Sequence, residues 1–589
     1  MRLRPTLPGL LALALAHGPF SAQAQLPTLD PVFATNGVLS VPLQAPVSDG
    51  GSANLLALQG GSYLAIGEAS YSGSIGIAAQ GVLVKFDACG ALDPTFGTSG
   101  VSQLVGGVDW RVLPSEGVQL TDGSILLAGT TNTGFGAVST NRHTMVKVLP
   151  DGTLDATYGA GGFLIQNSSD GVASSYGTDL LALPSGGFVA TAVQSGNING
   201  GSRALSLFGY LADGDVDASF GTGGAVHVAK PEFAFMAQAH LTNTSTILVA
   251  YGRRFTNNMR IELSAFTLEG EPIITFGNNG NVDDTTNFLG GGSDPNDFAS
   301  VLDDAGRLTV MGALDQDNIQ LIRFLSNGSR DLSFGTNGRL LIPHLGTNLP
   351  PDASNLKILA DGSLLALVKA GTPGNTPGTQ WFLLSSEGEL LANDNEPWLS
   401  LGFNKASDVL EIEEGRWLVL SASQFPAGMA VRRFSTDAVV LPSISLSGPS
   451  LIATGSGPGF QWYLDGSAIT GATAITFEPT TNGTYTVEMT DALGCTVVSA
   501  PFQLLNVGVQ ALDPASAMVV AGPDAYGLLT VRGEGMITYE LLDARGVRLK
   551  TGMMASGFDQ IATAELASGT YVLVLRSAKG RQVFRFFAE

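Results

Sequence analysis

Three carboxylates alternate along Asp213-Gly214-Asp215-Val216-Asp217, and oxygen ligands at alternate positions are one way for a loop to hold calcium. The run lacks the glycine position and the distal glutamate of a calcium loop. Asp213, Asp215 and Asp217 are therefore a weak metal candidate, and the expectation is no metal and no cofactor. The other residues able to do chemistry are dispersed. Beyond His17, the histidines are His143, His227, His240 and His344, with no His-Glu-x-x-His and no Cys-His spacing for zinc. No Gly-Lys-Ser/Thr phosphate loop occurs. Neither Cys89 nor Cys495 has a histidine close by in sequence, so a thiol nucleophile is unsupported. The two cysteines, 406 residues apart, read as free buried thiols; a bridge between them would need docked domains. No local motif predicts catalysis, and a site would have to be assembled from distant residues.

The elements that would position such residues come from a repeat. The phrase Leu-Asp-Pro-Val-Phe-Ala-Thr-Asn-Gly at 29–37 returns as Leu-Asp-Pro-Thr-Phe-Gly-Thr-Ser-Gly at 92–100, Leu-Asp-Ala-Thr-Tyr-Gly-Ala-Gly-Gly at 154–162 and Val-Asp-Ala-Ser-Phe-Gly-Thr-Gly-Gly at 216–224. Weaker copies end at Gly280 and Gly338. The aromatic falls at Phe33, Phe96, Tyr158, Phe220, Phe276 and Phe334, in steps of 63, 62, 62, 56 and 58 residues. These aromatics read as structural anchors, plugs between repeats, and the glycines as turns that accept positive φ. Between the copies lie seven hairpins, such as 56–67, 118–129 and 410–420, in which apolar runs flank Asp-Gly or Gly-Gly. A third strand follows each. A period of this length carrying about four strands predicts one blade of a β-propeller per repeat. The seventh repeat stops after Phe434 without its last strand, whereas 33–42 supplies such a strand with no hairpin before it. The N-terminal strand is therefore expected to close the last blade, removing an open sheet edge. The strand after the sixth hairpin is eroded, with Glu396-Pro397-Trp398 in place of the phrase.

Composition narrows the class further. Arg2 and Arg4, the apolar stretch Leu10 to Ala16 and the small-x-small site Ala22-Gln23-Ala24 make residues 1–24 a signal peptide. That segment is too short to span a bilayer, and no transmembrane segment is expected after its removal. The net charge is −22, or −24 without the two arginines, which disfavours nucleic acid and anionic membrane surfaces as partners. Near residue 440 the pattern changes. A strand bearing Trp462, then the alternating strand Gly483-Thr484-Tyr485-Thr486-Val487, has the core layout of an immunoglobulin-like sandwich. Trp462 and Tyr485 read as its core, with a carbohydrate platform as the other use of the pair.

Three resemblances follow from these residues. Leu-Asp-x-x-Phe-Gly-x-x-Gly with an Asp-Gly hairpin downstream resembles the delta-60 repeat proteins of bacteria over residues 29–437, which implies an extracytoplasmic propeller with no agreed activity. The copy at Phe276 departs, with Glu271-Pro272-Ile273-Ile274 where Leu-Asp is expected. The segment ending Asp491-Ala492-Leu493-Gly494-Cys495 is similar to the Ig-like modules of Bacteroidota surface proteins. Leu566-Ala567-Ser568-Gly569-Thr570-Tyr571-Val572 and the final Gly580-Arg581-Gln582-Val583-Phe584-Arg585-Phe586 strand are similar to the C-terminal sorting domain of the type IX secretion system. Leu512-Asp513-Pro514 stands where that family opens with Pro-Asn-Pro. The resemblance implies export across an outer membrane, with the secretion machinery as a partner.

The expected architecture is all-β: a signal peptide (1–24), a seven-bladed β-propeller (25–440), an Ig-like β-sandwich (441–506) and a small C-terminal β-sandwich that sorts the chain (507–589). The expected function is a secreted or outer-membrane surface-attached, non-enzymatic binding, adhesion or scaffold protein with an extracellular glycan or protein ligand. The alternative is a secreted hydrolase or lyase whose site lies in the propeller channel; carboxylates clustered with a histidine on one face would favour it.

Overall fold

The computed structural model describes residues 28–588, except 43–46, 74–75, 106–109, 134–139, 167–171, 199–200, 231–233, 256–257, 290–297, 316, 344–351, 372–376, 394–402, 425–426, 505–518, 522–526, 534, 556 and 579. The signal peptide, His344 and Trp398 lie outside the described residues.

The chain is a β-propeller followed by two smaller β units. Alternating apolar strands punctuated by Asp-Gly and Gly-Gly turns fold into antiparallel ladders, and among the described residues seven sheets arise from residues 28–435. The first strands are Val47–Ala57, Trp110–Gln119, Val172–Ala182, Ala234–Leu241, Phe298–Leu302, Asp352–Ile358 and Phe403–Glu413. Each packs against the first strand of the next sheet, and Phe403–Glu413 packs against Val47–Ala57. The seven innermost strands therefore close a ring around a central channel. The seam is stitched as the two incomplete repeats require. Val38–Pro42 pairs antiparallel with Ala427–Ser435, Val38 opposite Arg432, and Leu29 lies opposite Phe434.

The repeated phrase explains how neighbouring sheets lock. Asp93 Oδ1 accepts the N–H of Thr95 at 2.9 Å, and Asp155, Asp217 and Asp331 make the same turn with Thr157, Ser219 and Ser333. The turn delivers the aromatic to a fully covered seat: Phe33, Phe96 and Phe334 are 0% exposed. That burial is worth about 1.5–3 kcal/mol per ring. The seat is a glycine one sheet further on. At Gly152 (φ +87°) a Cβ would lie 3.1 Å from the ring of Phe96, so only glycine admits the plug. Gly97 N–H then donates to Asp151 O across the same junction. Tyr158, Phe220, Phe276, Phe334 and Phe33 are seated in the same way on Gly214, Gly270, Gly328, Gly388 and Gly90.

Residues 443–504 form two facing sheets. Trp462 (0% exposed) and Tyr485 fill the space between them. Trp462 Nε1 donates to Ala474 O at 2.8 Å and Tyr485 Oη to Thr481 O at 2.7 Å, so both polar tips are satisfied while the rings pack. Residues 519–588 form two more sheets around Leu529, Leu541, Leu573 and Leu575.

The reading of free thiols is corrected. Cys89 and Cys495 form a disulfide because the 443–504 unit docks on the propeller seam. Arg433, 0% exposed, is the hub of that junction. Its Nε donates to Asp30 Oδ2 at 2.8 Å, its Nη1 to Ala88 O at 2.9 Å and its Nη2 to Asp491 Oδ2 at 2.6 Å. One guanidinium thus joins the N-terminal strand, the seventh sheet and the second unit, while Val32, Met489 and Cys495 pack into a small apolar cluster beside it.

Candidate functional site in the central channel

The sequence-predicted residues come first. Asp213 Oδ1 accepts the N–H of Asp215, and Asp217 Oδ1 accepts from Ser219. These carboxylates shape two turns of the repeat, and they do not converge on a common point. His143 is buried against Phe208 at 5.0 Å, with Nε2 3.1 Å from Tyr210 Oη; burial pulls its pKa down to about 4. His227 Nδ1 lies 2.8 Å from Ser206 Oγ. These two belong to a polar seam between the second and third sheets. His240 is elsewhere, on an innermost strand.

What the sequence did not single out is a ring of polar residues, one per innermost strand: Asn54, Glu116, Asp179, Gln238, Ser300, Asn355 and Asp408. Five of the strands carry a register shift at this level, between Ser52 and Asn54, Pro114 and Glu116, Gly177 and Asp179, Ala353 and Asn355, and Ala406 and Asp408. A bulge of this kind re-aims a side chain. Here the polar groups bridge to a neighbouring sheet. Asp408 Oδ2 accepts Leu55 N–H at 2.8 Å across the seam. Asp179 Oδ2 accepts Ala239 N–H at 2.6 Å and Gln238 Oε1 accepts Ser300 N–H at 2.7 Å. Asn54 Nδ2 donates to Glu116 Oε2 at 2.9 Å and Asn355 Nδ2 to Asp408 Oδ1 at 2.7 Å.

Two basic groups stand two residues further along their strands. Lys357 Nζ is 3.2 Å from Asp408 Oδ1. His240 Nε2 is 2.8 Å from Ser300 Oγ, and burial lowers the pKa of this imidazole to about 4. The ring's carboxyls diverge electrostatically. Burial raises Glu116 well above the usual carboxylate range, and the charges of Asp179 and Asp408 push it further the same way. Burial raises Asp179 to about 6, opposed by the amides of Ala239 and Leu180 and by Lys357. Lys357 is held above its ordinary value, chiefly by Asp408. A carboxyl that keeps its proton beside one paired with an ammonium is the division between general acid and base or nucleophile that hydrolases use.

Comparison with known proteins gives the fold. Residues 120–158 match the family described as a domain of unknown function (DUF5122) beta-propeller. No curated protein matches the chain. Among solved structures the chain is similar to the Penicillium chrysogenum alpha-L-arabinanase complexed with arabinobiose, at 12% identity over 70% of this chain and 100% of that one, with a TM-score of 0.36. It is similar to the Fusarium graminearum alpha-L-arabinofuranosidase in complex with an iminosugar inhibitor at 10% identity, over 61% and 98% of the two chains, TM-score 0.35. A third is the PQQ-bound aldose sugar dehydrogenase of Streptomyces coelicolor, at 10% identity over 56% and 99%, TM-score 0.32. At such identities no substrate is transferred. The expectation of a protein that is not an enzyme is nevertheless corrected. The absence of a contiguous motif, on which the expectation rested, carries no weight where groups on strands some sixty residues apart meet in one ring.

Proposed function

We propose that the chain is a hydrolase whose site is the channel ring, with Glu116 as the proton donor, Asp408 as the carboxylate partner, and Asp179 and Lys357 setting their charge. The observation that carries this is the pairing of Asp408 with the Lys357 ammonium at 3.2 Å alongside Glu116, a buried carboxyl whose pKa is raised well above the usual range. Two carboxyls suffice to cleave a glycosidic bond, one protonating the leaving oxygen while the other attacks or activates water. An extracellular glycan is therefore the proposed substrate class. Export is part of the proposal: the signal at 1–24 takes the chain out of the cytoplasm, and residues 507–589 act as a type IX sorting domain. Residues 441–506 serve as an Ig-like spacer, and the chain is released or left at the cell surface.

The test is turnover of a panel of polysaccharides and aryl glycosides by the full chain lacking residues 1–24. Glu116→Gln is expected to lower kcat by about 10²–10⁴-fold, the usual worth of a positioned acid. Asp179 and Asp408 also staple sheets through backbone N–H bonds, so thermal unfolding of each variant is measured in parallel. If no substrate of the panel turns over, or if E116Q turns over as fast as the parent, the proposal fails. Mass spectrometry of culture supernatant tests export, since an extracellular chain that keeps its C-terminus counts against sorting.

A further inference from the structure

The sixth and seventh sheets part to leave a cavity of about 220 Å³ beyond the ring, floored by Leu359, Val409 and Leu410 and flanked by Lys357, Glu411 and Trp417. Trp417 is 4% exposed, and its indole Nε1 reaches no acceptor among the described residues. Buried indole N–H groups ordinarily find one. Glu411 Oε2 takes the N–H of Ala360 at 3.0 Å, which leaves the carboxyl with accepting capacity. The ammonium of Lys357, partly exposed and bonded to Asp408, has further N–H donors.

We propose that this cavity is a binding site for one neutral, hydroxyl-bearing ring of monosaccharide size. The charge pattern selects that chemistry. A carboxylate or phosphate would meet Glu411, and an ammonium would meet Lys357. A hydroxyl is both donor and acceptor, so neighbouring hydroxyls of one ring satisfy the indole N–H and the Glu411 carboxyl together. The apolar floor suits the C–H face of a sugar, and the volume, about that of seven liquid waters, suits one ring rather than an oligomer. The site shares Lys357 with the proposed acid–base pair, but neither Glu116 nor Asp408 lines it, and occupancy does not require catalysis.

The experiment is titration of the full chain, labelled with ¹⁵N-tryptophan, with D-glucose, D-galactose, L-arabinose and myo-inositol, and with sodium acetate and ethylammonium chloride as charged probes. The chain has five tryptophans, and Trp417→Phe assigns its indole signal by loss. At least one neutral probe is expected to shift that signal saturably while both charged probes leave it in place. By calorimetry the same probe binds Trp417→Phe about tenfold more weakly, the loss of one buried hydrogen bond. Glu411→Gln, a change that leaves the core intact, weakens it several-fold. The inference is overturned if none of the four neutral probes moves the signal, if acetate or ethylammonium moves it instead, or if W417F, shown folded by its unfolding midpoint, binds as tightly as the parent. Loss of turnover in E116Q with binding retained separates this site from the channel chemistry.

Discussion

Replacing Arg433 by Met tests whether one buried guanidinium holds the propeller seam to the second unit. The side chain is 0% exposed, and its two carboxylate partners, Asp30 and Asp491, are 1% and 8% exposed. Asp30 also accepts Val32 N–H at 3.0 Å, and Asp491 accepts Cys495 N–H at 2.8 Å, so neither carboxylate can swing out to water without breaking a turn. Deleting one partner of a buried pair typically costs 3–5 kcal/mol, because the remaining charge is stranded. Here two are stranded, and proton uptake by one of them limits the loss, so about 4–6 kcal/mol is expected. Hydrogen exchange at pH 7 is the assay. Amides of residues 38–41, in the strand that closes the seventh sheet, should exchange faster by about a factor of ten per 1.4 kcal/mol, while those of the strand Leu308–Ala313, across the ring, should not change. Removing the stranded charges as well, in R433M/D30N/D491N, should restore part of the protection. If R433M leaves the seam amides within about threefold of the parent, or if the triple variant is worse than the single, the hub is not what closes the ring.

Reduction of Cys89–Cys495 opens a loop of 406 residues, for which chain entropy sets a ceiling near 6 kcal/mol at 25 °C; the expected result is earlier melting and proteolysis between residues 437 and 442, read by mass of the fragments. Gly97→Ala places a Cβ against the carbonyl of Val101 at φ +55°, and is expected to cost about 2–4 kcal/mol in urea unfolding, with the Phe96 junction yielding first. Folded His143 and His240 titrate at about 4, below the ordinary 6.5. The unfolded chain therefore binds protons that the folded one refuses, and stability falls as pH drops from 6.5 toward 4, by on the order of 3 kcal/mol for each; His143→Gln should flatten that limb. Asp179, raised to about 6 from 3.8, acts in the opposite sense. Its folded form holds a proton that the unfolded form has lost, so its contribution declines as pH rises from about 4 to 6, and Asp179→Leu should be relatively more stable above pH 6 than below pH 4.

The scaffold was legible because its rules are local. An aspartate two residues before a Thr or Ser, an aromatic, and a glycine that must take positive φ lie within nine residues, and the seat of each aromatic is itself marked by an Asp-Gly or similar turn. The closing strand was legible because two fragments of one repeat lacked complementary halves. The disulfide was not, since nothing near Cys89 announces that Asp491 and Cys495 will dock there. Arg433 looked like the end of a repeat when it is the hub of the junction. The channel ring was hidden for a related reason. Glu116, Asp179 and Asp408 each stand two residues before a hairpin among other polar residues of the same strand, and only the closure of seven strands brings them level. The usable signal was the recurrence of a polar residue six or seven positions before the turn residue of each hairpin.

That offset also shows where the repeats have stopped being interchangeable. Where the fold demands one chemistry, the copies agree: six junctions use an aromatic ring seated on a glycine. At the ring the geometry is as regular as at the seats, with five bulges at one level, yet the residues are Asn, Glu, Asp, Gln, Ser, Asn and Asp. A girdle that only stapled sheets would be served by any one short acceptor used seven times, as Asp179 and Asp408 show by taking the next sheet's N–H. Instead three carboxyls occur in the second, third and seventh sheets, and an ammonium reaches in from the sixth. Burial raises the proton affinity of Glu116 and Asp179, at a cost in stability that uniform amides would avoid. Broken symmetry in an otherwise symmetric ring, at the point where charges are hardest to bury, is what a site for chemistry requires and a clasp does not.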